Sequence, residues 1–266
     1  MSVLPNAVAI DVDLDMGDRA EELYLQALMN RGACTKRFKQ GSDSTDKGVG
    51  AVYHLRHTAG RRWGGVCKAL CIYWIASHAN DHDFWSWLFD NNGHINVRKA
   101  GMIADMQGAY MGQAHYAGGL NIRNALVESK HHFLTRMLGR MGLVERKTAL
   151  GNSRSVNQQG FARGTSFARG RELAELIAPN YVMGEAMYKQ VSFHGNRGGH
   201  AVALWVAQDA MFFDPNYGEF WFEHVADFRQ WFTYHFWEKS RYGRAFDHDY
   251  TVHCYGKSIG KFKVGV

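Results

Sequence analysis

GGVCKALCIYWI, residues 64–75, sets a cysteine at the mouth of an apolar helical pattern. On a helix beginning near Val66, the residues Cys67, Leu70, Cys71, Trp74, Ile75 and His78 fall at the i, i+3, i+4, i+7, i+8, i+11 spacing of a face turned toward a core. Cys67 occupies the first turn. Backbone N–H groups without intrahelical partners and the positive end of the helix dipole favour an anion there. The thiolate is the reactive form of cysteine. Gly64 and Gly65 let the chain turn tightly and let another backbone approach. A free cysteine on an apolar stripe is more often a small core residue. Cys71, one turn deeper, is read that way; Cys67 needs partners to be anything else.

The partners come from a second stretch, RGGHAVALWVAQDAMFFDPNYGEF, residues 197–220. A Gly-Gly pair leads into a short apolar strand with His200 at its head. The chain turns near Gln208–Asp209, returns as Met211–Phe213 and ends at Asp214. His200 and Asp214 therefore share the open end of one hairpin. Their offset is about three residues, or roughly 10 Å between backbones at strand rise, which twist and two side chains can close. Pro215 breaks the ladder and Asn216–Gly218 makes a turn. A helix-start cysteine in the first half, with a histidine and then an aspartate on a later sheet, fits a papain-like order. There, a cleft between lobes joins thiol and imidazole.

The rest of the chain supplies two lobes. Amphipathic or apolar helices are expected over Gly17–Met29, Val66–Ala79, Asp81–Asp90, Asn96–Ala117 and Asn121–Met141, with Lys36–Gly50 as a polar loop. FARG occurs at 161–164 and again at 167–170, read as a basic loop leading into a helix over Arg171–Ala178 that Pro179 stops. Strands follow at Tyr188–His194, His200–Val206, Met211–Phe213, Glu219–Glu223 and Tyr250–Tyr255, interrupted by a helix over Val225–Glu238. Helices first and strands second make the fold class α+β, a helical lobe packed against an antiparallel sheet. Residues 1–45 read as an N-terminal lead, partly flexible and secretion-related, and 46–266 as the catalytic domain.

Composition narrows the partners. Among 266 residues, 46% are hydrophobic and only 3 are proline, which supplies a core and argues against extended disorder. No apolar run reaches the ~18 residues of a membrane span. The net charge of +6 favours acidic partners or anionic surfaces, yet no nucleic-acid module is readable. The four cysteines, Cys34, Cys67, Cys71 and Cys254, form no CxxC pair or disulfide framework, so a reducing compartment is expected. The N-terminus has Asp11, Asp13, Asp15 and Asp18 and no Sec-type signal pattern. His131-His132 and FDHDY (246–250) have neither HExxH nor Cys/His metal spacing and are read as solvated surface. No metal or cofactor is expected. Trp85 and Trp87 read as core or interface.

Three stretches together, GVCKALCIYWI, GGHAVAL and FFDPNYGEF, resemble the catalytic blocks of the YopT-type cysteine proteases of bacterial effectors. Gly65, Cys67, Leu70 and Trp74 match the cysteine block. His200 and Ala201 match the histidine block. Asp214, Pro215, Asn216, Gly218 and Phe220 match the Asp-Pro-Asn-x-Gly-x-Phe block. The resemblance implies a papain-like cysteine protease with Cys67 as nucleophile, His200 as base and acid, and Asp214 as its orienting group. It implies a protein substrate, a secretion chaperone as a further partner, and delivery without a Sec-type signal into a host or target-cell cytoplasm. Relatives cleave themselves before a Gly-Cys lipidation start. GACTKRF, from Gly32, places Lys36 or Arg37 where a polar acceptor would stand, and matches poorly. The same triad also serves glutamine deamidation or acyl transfer, and a binding protein could keep the fold without turnover. Papain-like enzymes add an upstream Gln or Asn as oxyanion donor; Gln40 is the nearest upstream Gln, and the donor is left open.

Overall fold

Eight strands of this computed structural model form one antiparallel sheet, and they explain why the second half of the chain alternates in hydrophobicity. The structure describes residues 8–40, 49, 52, 65–112, 122–146, 154–156, 165–180, 187–195, 198–246 and 249–257. The strands are β1 (Gly32–Lys36), β2 (Leu143–Glu145), β3 (Arg154–Val156), β4 (Met187–Gly195), β5 (Gly198–Val206), β6 (Ala210–Asp214), β7 (Gly218–Phe222) and β8 (Asp249–Lys257). Their order is β1-β7-β6-β5-β4-β8-β2, with β3 also on β8. The five strands read from the sequence lie within one or two residues of their expected ends.

Alternation along the strands assigns each side chain to one of two cores. Val202, Leu204 and Phe212 join an aromatic core with Phe228, Trp231, Phe232, Phe236 and Trp237. Those aromatics come from α7 (Val225–Trp231), which runs on through a π turn, Phe232–Phe236, into Trp237–Lys239. The expected single helix over Val225–Glu238 is therefore widened in its middle. Ala201, Ala203 and Phe213 face the other way, against α2 (Cys67–Ala79). The small alanines let that helix lie close to β5.

Helix α2 is buried on nearly every side, not along one stripe alone; Lys68, Ala69, Ile72 and Ala76 are buried with the expected face. The helices α3 (Phe84–Leu88), α4 (Val97–Gly112) and α5 (Ile122–Arg140) supply Phe84, Leu88, Ala100, Ile103, Phe133, Leu134 and Leu138 to the same core. A helix apolar all round must be covered all round. The expected helix over Asp81–Asp90 is shorter, starting where Asp83 accepts from the Trp85 amide at 2.9 Å. Residues 113–121, in the expected Asn96–Ala117 helix and its link to the next, lie outside the described residues. No described helix is long and apolar enough to cross a membrane.

The second FARG is helical. α6 spans Ser166–Ile177, with Thr165 as its cap accepting from the Ala168 amide at 3.2 Å. Gly170 explains its own identity: a Cβ there would run into the Trp237 ring. The first FARG and most of the loop expected over Lys36–Gly50 lie outside the described residues. Within the expected lead, α1 (Val8–Met29) is followed by β1, which pairs with β7 through Gly32↔Phe222 and Cys34↔Phe220. GACTKRF thus contributes an edge strand.

Gly218 shows how closely β1 is seated. Its φ is +104°, and an added Cβ would collide with the carbonyl oxygen of Lys36. Gly218→Ala should lower stability by about 2 kcal/mol or more, from backbone strain and the displaced strand. Urea unfolding followed by circular dichroism measures it. An unchanged midpoint would mean that β1 does not lie against this turn.

Candidate active site

The site forms where the start of α2 meets the open ends of β5 and β6. Gly65 precedes the helix with φ +74°, a left-handed conformation suited to glycine. The first amides of α2 are then disposed of one by one. The Val66 N–H donates to Gln40 Oε1 at 2.9 Å, the Ala69 N–H to Gln107 Oε1 at 3.1 Å, and the Leu70 N–H to the Val66 carbonyl at 3.0 Å. Cys67 sits among these groups, 7% exposed, beside His200 and the Ala201 amide, which both favour its charged form.

His200 and Asp214 share the sheet face of Val202 and Phe212, as the pairing Ala203↔Phe213 requires. By that register their offset along the hairpin is two residues, one less than the sequence reading. The His200 Nε2 lies 3.3 Å from each oxygen of Asp214. With Nε2 so engaged, Nδ1 is the ring nitrogen left for the thiol. Tyr242 and Phe246 flank the imidazole, with ring centroids at 5.0 and 6.1 Å. His200 is 6% exposed and Asp214 fully buried.

Burial opposes charge on both sulfur and imidazole, and their neighbours reverse it. Burial alone would raise the Cys67 pKa; the hydrogen bond and charge of His200, the Ala201 amide and the nearby Lys68 bring it below the ordinary thiol value. Burial alone would lower the His200 pKa; the Asp214 charge and hydrogen bond, with Cys67, lift it to about 10. Both shifts favour a thiolate beside an imidazolium. Cys71 goes the other way: burial and the Cys67 charge push its thiol well above the usual range.

A hydrogen-bonded chain holds this pair from behind. Gln40 Nε2 donates to Asn216 Oδ1 at 2.8 Å, and Asn216 Nδ2 donates to the Tyr242 hydroxyl at 3.0 Å. The Tyr242 hydroxyl donates to Asp214 Oδ1 at 3.3 Å, and the Asn216 amide donates to the same oxygen at 2.6 Å. The Gln40 backbone N–H donates to the Pro215 carbonyl at 2.7 Å. The start of α2 and the Asp214 turn are thus one connected unit, closed through Gln40.

A family model described as the Yersinia/Haemophilus virulence surface antigen, a peptidase family, matches residues 31–252. The chain belongs to this family. The cysteine protease yopT1 of Yersinia enterocolitica serotype O:8 / biotype 1B is 29% identical over 203 residues, covering 73% of this chain and 56% of that relative. The cysteine protease YopT of Yersinia pseudotuberculosis serotype I is 28% identical over 186 residues, covering 67% of this chain and 52% of that relative. The chain therefore spans about half the length of these curated relatives. The Pseudomonas avirulence protein AvrPphB has a crystal structure that aligns with a TM-score of 0.51 at 17% identity, over 77% of this chain and 94% of that one. That likeness carries the fold alone, and the α+β arrangement is the papain-like one.

The blocks shared with the family have physical reasons beyond the thiol, imidazole and carboxylate. Trp74 of the cysteine block donates its indole N–H to Glu219 Oε2 at 2.6 Å, inside the third block. Trp85 donates to the same oxygen at 3.1 Å, and Thr35 Oγ1 to Glu219 Oε1 at 2.7 Å. Asn216, a plain turn residue on sequence grounds, bonds Gln40, Tyr242 and Asp214. Gln40 was legible only as a distant candidate, and Tyr242 carried no signal, because nothing local marks a residue whose partner lies 28 positions away.

Alkylation should report this electrostatics. With iodoacetamide at pH 6 and peptide mass mapping, Cys67 should react first. Cys71 and Cys254, raised by burial, and Cys34, pushed up to about 11, should lag. Cys67 is lowered, so its alkylation should already be near its plateau below the usual thiol range and stay there at high pH. Equal labelling of the cysteines at pH 6 would remove the case for an ion pair.

Proposed function

We propose that the protein is a cysteine protease acting on a protein substrate through Cys67, His200 and Asp214. The observation that carries this reading is His200 placed 3.3 Å from Asp214 and coupled to Cys67, with the thiol pKa lowered and the imidazole pKa raised. Cys67 attacks the scissile carbonyl as thiolate. The His200 imidazolium protonates the leaving amine, and the neutral ring then takes a proton from the water that resolves the acyl-enzyme. Asp214 holds Nε2 and stabilises the ring's positive charge.

Two donors are suited to the oxyanion. The Cys67 backbone N–H lies at the start of a helix, between amides with other acceptors. Gln40 stands against that start, and one of its two amide hydrogens is engaged by Asn216. We assign the second hydrogen, with the Cys67 N–H, to the developing negative charge. Gln40 and β1 belong to this arrangement, which supports a catalytic unit that includes Gly32, within the stretch that sequence alone reads as a lead.

Family membership supports a further assignment: an effector secreted from the cell and acting in the cytoplasm of a target cell. A secretion chaperone is a partner in that setting. Glutamine deamidation shares the first half-reaction and is separated from proteolysis by experiment.

Target-cell protein extract incubated with wild type, and read by mass spectrometry, should show new peptide termini that Cys67→Ala does not produce. A gain of about 1 Da on glutamine without scission would instead identify a deamidase. Against a cleaved substrate, Cys67→Ala should lose about three to six orders of magnitude in rate. Asp214→Asn should lose roughly tenfold to ten-thousandfold, since an amide keeps a hydrogen bond without the charge. Cys71→Ala should keep the chemistry and lose about 1–3 kcal/mol of stability. Wild-type turnover by folded Cys67→Ala would end the thiol mechanism, and by folded Asp214→Ala the role given to the carboxylate.

A further inference from the structure

A second cluster of chemically capable side chains lies away from Cys67, on the helical side of the sheet. His131 comes from α5, Glu145 from β2 and His253 from β8. Sequence reading set His131 aside as surface, because its partners stand 14 and 122 positions further on and make no recognisable spacing. In the fold, one ligand atom from each residue lies within 4.8 Å of the others. His131 Nε2 is 2.9 Å from Glu145 Oε1, and the rings of His131 and His253 stack with centroids 4.4 Å apart.

We propose that His131, Glu145 and His253 form a binding site for a divalent late first-row metal ion, Zn²⁺ above all. Two imidazoles and a carboxylate are a donor set that suits zinc and leaves the fourth tetrahedral position to water. Bonds of 2.0–2.2 Å put tetrahedral ligand atoms about 3.4 Å apart. The cluster is already compact enough; His131 and Glu145 need part by only about half an ångström.

The state of His253 is a second, independent observation. Its Nδ1 is buried with no hydrogen-bond partner. A buried ring nitrogen without a partner is costly, and a function is the usual explanation. A bound cation would meet an opposing charge close by. The opposing charge is Lys68, whose amine is bonded to Gln190 at 2.6 Å and to Ser192 at 2.5 Å. Burial brings that amine down to about 7, so its charge is only weakly held. All three proposed ligands are partly exposed, which leaves the ion a way in.

A bound ion would tie α5 to β2 and β8, locking a helix of the Cys67 lobe onto the sheet. His253 stands opposite Gln190 in the ladder, and Gln190 accepts from Lys68, the neighbour of Cys67. The site thus lies behind the nucleophile and outside the proposed catalytic groups.

The test is titration of the full chain with Zn²⁺ by calorimetry, and with Co²⁺ by visible absorption. Both use a Cys67→Ala background so that the thiol–imidazole pair cannot bind the probe. The expected result is one site of micromolar or tighter affinity, tetrahedral Co²⁺ bands, and a melting temperature that rises with zinc. His131→Ala and Glu145→Gln should each weaken binding at least tenfold and abolish the temperature rise. His194→Ala, at an exposed histidine that pairs with Asp249, should leave both unchanged. No saturable binding below about 1 mM, or equal binding by folded His131→Ala and Glu145→Gln variants, overturns the proposal. Should one variant fail to fold, the other decides.

Discussion

The buried carboxylate of Glu219 is the contact on which the two lobes depend. A carboxyl group inside a protein is costly to bury unless donors meet its oxygens. Here Trp74 brings one from the Cys67 helix, Trp85 one from α3 and Thr35 one from β1, while Glu219 itself belongs to β7. Four separate elements are therefore fixed to one carboxyl group. Their relative placement is what allows a thiol at the start of a helix to meet an imidazole at the end of a strand. Losing one donor would leave a buried carboxyl oxygen short of partners, so the clamp is selective for this arrangement as much as it is stabilising.

The site uses the same logic on a smaller scale. Cys67, on α2, approaches from the face of Ala201 and Ala203. His200 and Asp214 belong to the opposite face, in phase with Val202 and Phe212. They can meet only at the rim, where the strands end. A rim is normally wet and mobile, yet His200 is 6% exposed and Asp214 fully buried. The difference comes from Tyr242 and Phe246, which cover the imidazole, and from Gln40 and Asn216, which tie the rim to the helix start. A connected, satisfied network of this kind restricts geometry more than its individual bonds suggest.

What the sequence disclosed follows the range of the interaction. Strands β4 to β8 were legible because alternation and turn residues are local properties. Cys67, His200 and Asp214 were legible as a set because each carries a local mark: a helix start, a strand head and an Asp-Pro turn. β1, β2 and β3 were missed. They are short, and the strands they pair with lie some 100 or more positions away, as in Gly32↔Phe222 and Leu143↔Lys257. The second FARG misled in the opposite direction. Its arginine and glycine look like a loop, but Thr165 caps a helix there, and Gly170 is needed because Trp237 leaves no room for a side chain.

Histidine shows the limit most clearly. Fourteen are present, and residue type separates none of them. The fold gives three of them different electrical lives. His200 is held charged by Asp214 and Cys67, and its pKa rises to about 10. His253, also shielded from water but beside Lys68 and with Nδ1 unpartnered, falls to about 3. His78 is lowered by burial, with its Nδ1 2.9 Å from the Tyr188 hydroxyl and its ring stacked on Trp74. Burial acts in the same direction on all three; only the carboxylate beside His200 reverses it. One side chain type thus takes three different electrostatic characters, and its neighbours decide among them.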